Sequence, residues 1–325
     1  METIGRLAGV SQVTVSRALN HPDKVSAETS RRINEAISVT GYVPNLAAAG
    51  LATRRTLLIA ALVPSITNIV YSTLIQSFIG SIRAAKYHVL LGETGFSHEE
   101  EHALVANLLS RRPDGLLLTG IHHSSECRRL LLSAKIPVVE VWDITETPID
   151  TCVGFSHAKT GEAVAAFIEG RGYRRAAAVS AGDERALRRK DAFVKALQER
   201  GFPGTPEICL KDAASISCGR EALARLIDDD GFSNGAIFCS SDLLAHGILI
   251  EAQARGVKVP GEIAVIGFGD QGFSPFTLPP LTTVRVNREL LGRSAAAALL
   301  TRIAGNKSAS HTIDIGFEII VRGSA

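Results

Sequence analysis

Two short segments of the sequence match patterns that carry enzyme chemistry. The first, His98–His102, reads HEEEH and so places two histidines one helical turn apart, as in zinc proteases. Ser97 and Glu100 have the spacing of a capping box, in which carboxylates favour the positive end of the helix dipole. Since no third ligand is evident, we interpret the segment as the polar first turn of a helix and expect no metal site.

The second segment, Gly267–Gly272, reads GFGDQG and matches the fingerprint of dinucleotide-binding sites. That fingerprint must open a helix whose N-terminus holds the pyrophosphate. Pro275, Pro279 and Pro280 follow instead and disfavour a helix. We therefore predict a loop that lines a crevice, and we expect neither a cofactor nor enzyme activity.

Residues 1–44 show the pattern of three short helices joined by tight turns. We predict helices over Thr3–Ala8 and Val13–Leu19, with Ser11 as the N-cap of the second. Ser26 is the predicted N-cap of a third helix, which Gly41 ends. A unit of about 40 residues buries little apolar surface, so it is marginal without a partner surface.

The second predicted helix carries side chains that suit DNA recognition. Gln12 and Arg17 can reach base edges in the major groove. Short polar side chains suit phosphate oxygens, which position a helix without reading sequence; they are Ser11, Thr14, Ser16 and Asn20. Residues 1–55 hold seven Lys and Arg against four Asp and Glu, so this part of the chain is basic. The alternative is an ordinary amphipathic helix with a solvated face.

From Leu57 onward, apolar strands alternate with amphipathic helices, which predicts parallel sheets with right-handed crossovers. The pattern repeats after Asp150, so we expect two doubly wound lobes. Ligands of such sheets bind beyond the carboxyl ends of the strands. The predicted strands are 57–63, 88–91, 115–118, 138–141, 176–179, 236–239 and 263–266, and the predicted helices are 71–85, 99–111, 125–134, 189–200, 219–228 and 243–255.

The composition indicates a folded, soluble protein. The 325 residues are 46% hydrophobic and 21% charged with a net charge of +2, which excludes a disordered chain. The apolar run Leu57–Val63 stops at Pro64, too short to span a membrane, and the N-terminus has no signal peptide. We therefore expect a cytoplasmic location. Five cysteines without zinc-ribbon or redox spacing are expected to be reduced.

Several runs of the sequence resemble the lac-repressor/galactose-repressor family of bacterial transcription regulators. They are GVSQVTVSRALN (Gly9–Asn20), VSAET (Val25–Thr29), GYVPN (Gly41–Asn45) and PLTTV (Pro280–Val284). The resemblance implies a helix-turn-helix headpiece, a hinge helix in the minor groove, and a periplasmic-binding-protein-like α/β core that senses a small molecule, in a homodimer on operator DNA. The implied boundaries are 1–44, 45–56 and 57–325, with lobe 1 about 57–155 plus 286–313 and lobe 2 about 156–285 plus 314–325.

The same resemblance assigns DNA contacts. It implies that Gln12, Val13 and Arg17 face the major groove, and it places Asn45, Ala48 and Leu51 in the hinge segment, with Leu51 as an intercalating side chain. Gly5 stands where alanine is expected, at a cost of about 1 kcal/mol in helix propensity. The family's usual Thr-x-x-Asp-Val-Ala opening falls before or at Thr3–Gly5, so the resemblance implies that the first helix lacks its first turn.

Three stretches resemble the gluconate-utilisation repressor branch of the family: Leu62–Asn68, Val139–Asp143 and Ile149–Phe155. Members that bind neutral sugars typically carry an aspartate where this chain has Gly269, and its absence removes a like charge from a pocket for an acid. Arg189 matches the family's effector-gripping arginine and can pair with a carboxylate bidentately.

The resulting hypothesis is a repressor released by a sugar acid held at Arg189. Further predicted contacts are Ser65, Asn68, His123, Ser241, Asp242, Phe268 and Asp270. For the polar ones the alternative is a hydrogen bond that caps a loop or joins the lobes. At the level of function, the alternatives are a regulator of neutral-sugar or corepressor type, a sugar-binding receptor and an enzyme.

Overall fold

The computed structural model describes residues 1–43, 55–95, 97–211, 213–306 and 311–325. The chain divides into two units, Met1–Leu57 and Leu58–Ala325, and each has its own apolar core. The predicted hinge contacts Asn45, Ala48 and Leu51 lie outside the described residues.

Three helices and a 3-10 turn form the described part of the N-terminal unit. Ser11 Oγ accepts a hydrogen bond from the Thr14 amide at 3.2 Å. Ser26 Oγ accepts one from the Thr29 amide at 3.3 Å, so both predicted N-caps are confirmed. The bounds are α1 Glu2–Ala8, α2 Gln12–Asn20, the 3-10 turn Pro22–Lys24 and α3 Ala27–Thr40.

The core of this unit is small. Its buried apolar side chains come from all three helices and are Ile4, Ala8, Val15, Ile33 and Ala36. Gly5 lies in α1 at a close approach of two chain segments, since a Cβ there would be 2.7 Å from the Val10 carbonyl oxygen. The glycine therefore weakens the helix locally but allows the turn after α1 to pack tightly against it.

Lobe 1 begins with alternating strands and helices. Successive residues of β1 face opposite sides: Ile59 and Ala61 join one apolar cluster, and Ala60 and Leu62 join another. The sheet is thus buried on both faces, as parallel sheets are. The bounds are β1 Leu58–Val63, α4 Ile69–Ala84, β2 His88–Glu93, α5 His98–Leu109, β3 Gly115–Thr119, α6 Ser125–Ala134, β4 Val138–Val141 and β5 Thr151–Gly154.

Lobe 2 repeats this scheme. Its bounds are α7 His157–Gly170, β6 Ala176–Ser180, α8 Glu184–Glu199, β7 Glu207–Cys209, α9 Ile216–Asp228, β8 Gly235–Cys239, α10 Asp242–Arg255, β9 Ile263–Phe268, the 3-10 turn Ser274–Phe276 and β10 Thr282–Arg285. α7 packs against α8, and α9 packs against α10.

The chain crosses between the lobes three times, after β5, after β10 and after β11. The remaining elements are α11 Arg288–Ile303, β11 Thr312–Asp314 and β12 Glu318–Ile320. α11 returns to lobe 1 and packs on α4. The strand orders are β11-β5-β4-β3-β1-β2 and β12-β10-β9-β8-β6-β7, and all pairs are parallel except β12 with β10.

This architecture confirms the predicted fold class. It also shows which structure each of the two enzyme-like segments adopts. α5 begins at His98, and Ser97 Oγ accepts from the Glu100 amide at 3.3 Å, so the HEEEH segment opens a helix. Gly267–Gly272 ends β9 and continues as a loop into the 3-10 turn, which confirms the loop interpretation. Among the described residues, no helix has the length and apolarity that a membrane crossing requires.

Candidate DNA-reading helix and interlobe cleft

α2 presents one polar face to solvent. Gln12, Val13 and Arg17 are exposed, and Val13 keeps 65% of its surface accessible while Val15 on the opposite face is fully buried. An exposed valine between polar neighbours suits contact with a thymine methyl group. The face can therefore offer both hydrogen bonds and an apolar contact to base edges.

The shorter polar residues of this segment have more local roles. Ser11 Oγ and Thr14 Oγ1 lie 3.0 Å apart within the N-cap of α2. Ser16 is half-buried, and Asn20 is the last residue of the helix. Ser11 and Thr14 thus define where the helix begins, and Gln12, Val13 and Arg17 form its exposed face.

Arg189, on α8, is buried where the two lobes meet. Only 4% of its surface is exposed, and its guanidinium lies over the Phe268 ring at 3.7 Å from the centroid. One terminal nitrogen donates to His157 Nδ1 at 2.9 Å, and the other donates to the Ser240 carbonyl at 3.0 Å. Nε has no hydrogen-bond partner among the described residues. Burial lowers the pKa of Arg189 to about 10, so the group is still a cation at neutral pH.

His157 links this arginine to lobe 1. Its Nε2 lies 2.9 Å from the Trp142 carbonyl oxygen, so Nε2 must donate and Nδ1 must accept from Arg189. Burial and the nearby arginine charges lower the pKa of His157 well below its usual value. The imidazole is therefore neutral and fixed in one tautomer.

Two further arginines project from the first turns of α8 toward lobe 1. Arg185 donates to the Tyr71 hydroxyl at 3.1 Å and lies over the Tyr71 ring. Arg188 donates to Asp143 Oδ2 at 2.6 Å and also contacts His122. With Arg189, three cations on one helix face line the cleft between the lobes.

Only Arg189 of this group was predicted. The signal for the others is the spacing of Arg185, Arg188 and Arg189, which puts them three and four residues apart on one helix face. Their partners Tyr71 and Asp143 belong to the other lobe and carry no such signal.

Asp143 is a buried carboxylate at the end of β4. It is 2% exposed, and its Oδ1 accepts from the Ile144 amide at 2.8 Å while Arg188 binds Oδ2. Burial raises the pKa of Asp143, and the Arg188 charge opposes that rise. Trp142 before it has a positive φ of 77°, a backbone conformation that is rare for a bulky residue and common at ligand sites.

The two predicted aspartates of lobe 2 have their oxygens occupied. Asp242 is 0% exposed and accepts from Thr283 Oγ1, Ser274 Oγ and the Gln271 amide. Asp270 pairs with Arg285 at 2.6 Å and Arg322 at 2.7 Å. Asp242 thus holds the loop after β9 in place, and its predicted ligand contact stays a prediction.

Three predicted polar contacts cap helices or turns. Ser241 Oγ accepts from the Leu244 amide at 3.3 Å and caps α10. Asn68 Oδ1 accepts from the Val70 amide at 3.0 Å and caps α4, and Ser65 Oγ accepts from the Asn68 amide at 3.3 Å. These contacts match the capping alternative raised by the sequence.

His123 lies between two glutamates of lobe 1. Its Nδ1 is 3.0 Å from Glu101 Oε1, and its Nε2 is 3.3 Å from Glu140 Oε1. Two buried glutamates thus enclose the ring, and the predicted effector contact of His123 stays a prediction. His122, the preceding residue, is the one that reaches the cleft.

An exposed helix suited to base reading, followed by two parallel-sheet lobes with arginines at their junction, defines the class of ligand-responsive DNA-binding regulators. Residues 1–45 match the family described as bacterial regulatory proteins, lacI family, and residues 165–325 match the periplasmic binding protein-like domain.

Relatives of known class agree. The chain is 38% identical over 327 residues to the HTH-type transcriptional regulator GntR of Pseudomonas aeruginosa, covering 100% of this chain and 95% of that protein. It is 30% identical over 325 residues to GntR of Escherichia coli, covering 100% and 98%. A LacI family regulator from Silicibacter pomeroyi superposes with a TM-score of 0.92 at 28% identity, covering 99% of this chain and 98% of that one. The chain belongs to the LacI family and is a DNA-binding transcriptional regulator, not an enzyme.

Proposed function

We propose that the protein is a repressor that leaves its operator when a small sugar acid binds between the lobes. The observation that carries this proposal is the set of three arginines on α8. Arg185 and Arg188 reach across to lobe 1, and Arg189 is a buried cation whose Nε lacks a partner.

The charge of the cleft favours an anion over a neutral sugar. A buried cation is costly unless it is paired, and a guanidinium pairs best with a planar carboxylate. Gly269 adds no competing negative charge to the loop after β9. The likeness to gluconate-utilisation repressors and to regulators named GntR supports a gluconate-like acid.

The DNA-binding side of the proposal rests on the exposed face of α2. Two copies of Gln12, Val13 and Arg17 in a homodimer would read the half-sites of a near-palindromic operator. The headpiece over 1–44, the hinge over 45–56 and the core over 57–325 would act as separate parts, with Asn45, Ala48 and Leu51 contacting DNA. Operator DNA is cytoplasmic, so the proposal places the protein there.

Release requires only a modest coupling. Effector binding would change the relation of the lobes, and the residues between core and headpiece would transmit the change. A coupling free energy of about 1 to 3 kcal/mol changes operator affinity by roughly 5- to 150-fold.

The test is a fluorescence-anisotropy titration of labelled operator DNA with the full chain, repeated with gluconate, other aldonates and neutral hexoses. We expect aldonates alone to weaken operator binding. Arg189→Gln should abolish the response, whereas Lys195→Gln, which removes the same charge from the exposed face of α8, should not. A response to a neutral hexose but to no aldonate contradicts the proposal, and tighter operator binding with an aldonate identifies a corepressor instead.

A further inference from the structure

A cluster of side chains that could bind a metal ion lies in lobe 1, on the face of the sheet that packs against α5 and α6. Glu101 is on α5, His123 is in the loop after β3, and Cys127 is on α6. One ligand atom from each of the three lies within 4.8 Å of the other two. Glu101 and Cys127 are buried, and the His123 side chain is 1% exposed.

The two nitrogens of His123 face different carboxylates. Nδ1 points to Glu101, with both carboxylate oxygens at 3.0 Å. Nε2 points to Glu140, whose Oε1 is 3.3 Å away and whose side chain is 0% exposed. Neither His123 Nε2 nor Glu140 Oε1 has a hydrogen bond of good geometry, so a buried polar pair is left incompletely satisfied.

We propose that Glu101, His123 Nδ1 and Cys127 Sγ bind a zinc ion, with Glu140 orienting the histidine from behind. Metal-bound histidines usually direct their other ring nitrogen to a carboxylate or carbonyl, and Glu140 stands where that partner is needed. An imidazole, a thiolate and a carboxylate suit zinc, whereas magnesium and calcium require oxygen ligands. The second oxygen of Glu101 or a water molecule would complete four-coordination.

Zinc takes the place of two protons in the cluster. One is the proton that His123 Nδ1 donates to Glu101, and the other is the Cys127 thiol proton. Both protons pass to solvent, so the net charge of the cluster does not change.

The cluster escapes sequence patterns because its ligands come from three elements. Glu101 lies inside the HEEEH segment, but neither histidine of that segment belongs to the cluster. The site also adjoins the interlobe cleft, since His122 next to His123 contacts Arg188. A bound ion would hold the loop between β3 and α6 rigid on the lobe 1 side.

The test uses the full chain, stripped with a chelator and then dialysed with zinc sulfate alone. Elemental analysis should give one zinc per chain. Cobalt substituted for zinc should give a thiolate-to-cobalt charge-transfer band. Cys127→Ser should remove that band, whereas Cys218→Ser, which changes a half-buried thiol outside the cluster, should keep it. Glu140→Gln should weaken zinc binding by about 10- to 100-fold.

Zinc that is not retained by the wild-type chain, or a charge-transfer band that persists in Cys127→Ser, overturns the proposal. Binding that disappears in a Cys209→Ser, Cys218→Ser double variant shows adventitious capture by more exposed thiols and overturns it as well. If Cys127→Ser does not fold, this double variant and the wild-type stoichiometry decide the question. Effector response plays no part in these readouts, so they are independent of the repressor proposal.

Discussion

Arg188 of lobe 2 donates a hydrogen bond to Asp143 of lobe 1 at 2.6 Å. A carboxylate of the chain itself is therefore bound to one of the arginines that line the interlobe cleft. The two residues are 45 positions apart in sequence. An acidic ligand entering the cleft meets an arginine that already has an anionic partner.

Asp143→Asn should therefore strengthen binding of the sugar acid. Asparagine removes the buried one of the two carboxylates that Arg188 binds and leaves the half-exposed Glu184 at 2.9 Å. Charge-assisted hydrogen bonds are worth about 1.5 to 3 kcal/mol. We expect roughly tenfold tighter binding by calorimetry, which corresponds to about 1.4 kcal/mol. Asp191→Asn, on the exposed side of α8, removes the same charge and should leave affinity unchanged. Weaker binding in Asp143→Asn would mean instead that Asp143 contacts the ligand.

Gly161→Ala should destabilise the core and disturb Arg189. A Cβ at Gly161 in α7 would lie 2.2 Å from the Arg189 carbonyl oxygen and 2.7 Å from the Phe193 amide nitrogen, so α8 would have to move. Overpacking of this kind costs about 1 to 3 kcal/mol.

Gly170→Ala is the matched control in the same helix, because nothing lies within 4 Å of a Cβ there. It should stabilise the chain by up to about 1 kcal/mol through helix propensity. Urea unfolding followed by circular dichroism measures both variants, and equal midpoints would contradict the close approach of α7 and α8.

Asp242→Asn should lower stability by about 1 to 3 kcal/mol. Three donors, Thr283 Oγ1, Ser274 Oγ and the Gln271 amide, point at the carboxylate, and an amide nitrogen would face at least one of them. Asp230→Asn, an exposed change in lobe 2, should have no effect on the unfolding midpoint. A stable Asp242→Asn chain with lost effector binding would support a direct ligand role.

Arg17→Ala should weaken specific operator binding by about 1 to 3 kcal/mol, because an arginine on the exposed face of α2 can bind a guanine bidentately. Arg31→Ala removes the same charge from α3, but Glu28 and Glu35 already neutralise Arg31, so its effect should be small. Anisotropy with operator and scrambled duplexes separates the two. Equal losses on both duplexes in Arg17→Ala would show a phosphate contact only.

Local features of the fold were readable from the sequence. Ser11, Ser26 and Ser97 cap helices through hydrogen bonds that span three residues, so short-range patterns identify them. The alternation of apolar strands and amphipathic helices was sufficient for two parallel-sheet lobes. The sequence did not predict α7 and α11. Small residues such as Gly161, Ala295 and Ala296 are buried there, so the buried face of each helix lacks a clear 3.6-residue pattern of large apolar side chains.

The partners of the polar residues were decided by the tertiary structure. The sequence determined that a reading helix begins at Ser11 and that α8 carries arginines. Only the folded chain pairs Arg188 with Asp143 and encloses His123 between two glutamates. The reason is physical: a cap is complete within one helical turn, whereas a buried charge takes whichever opposite charge the packing of distant strands and helices brings to it.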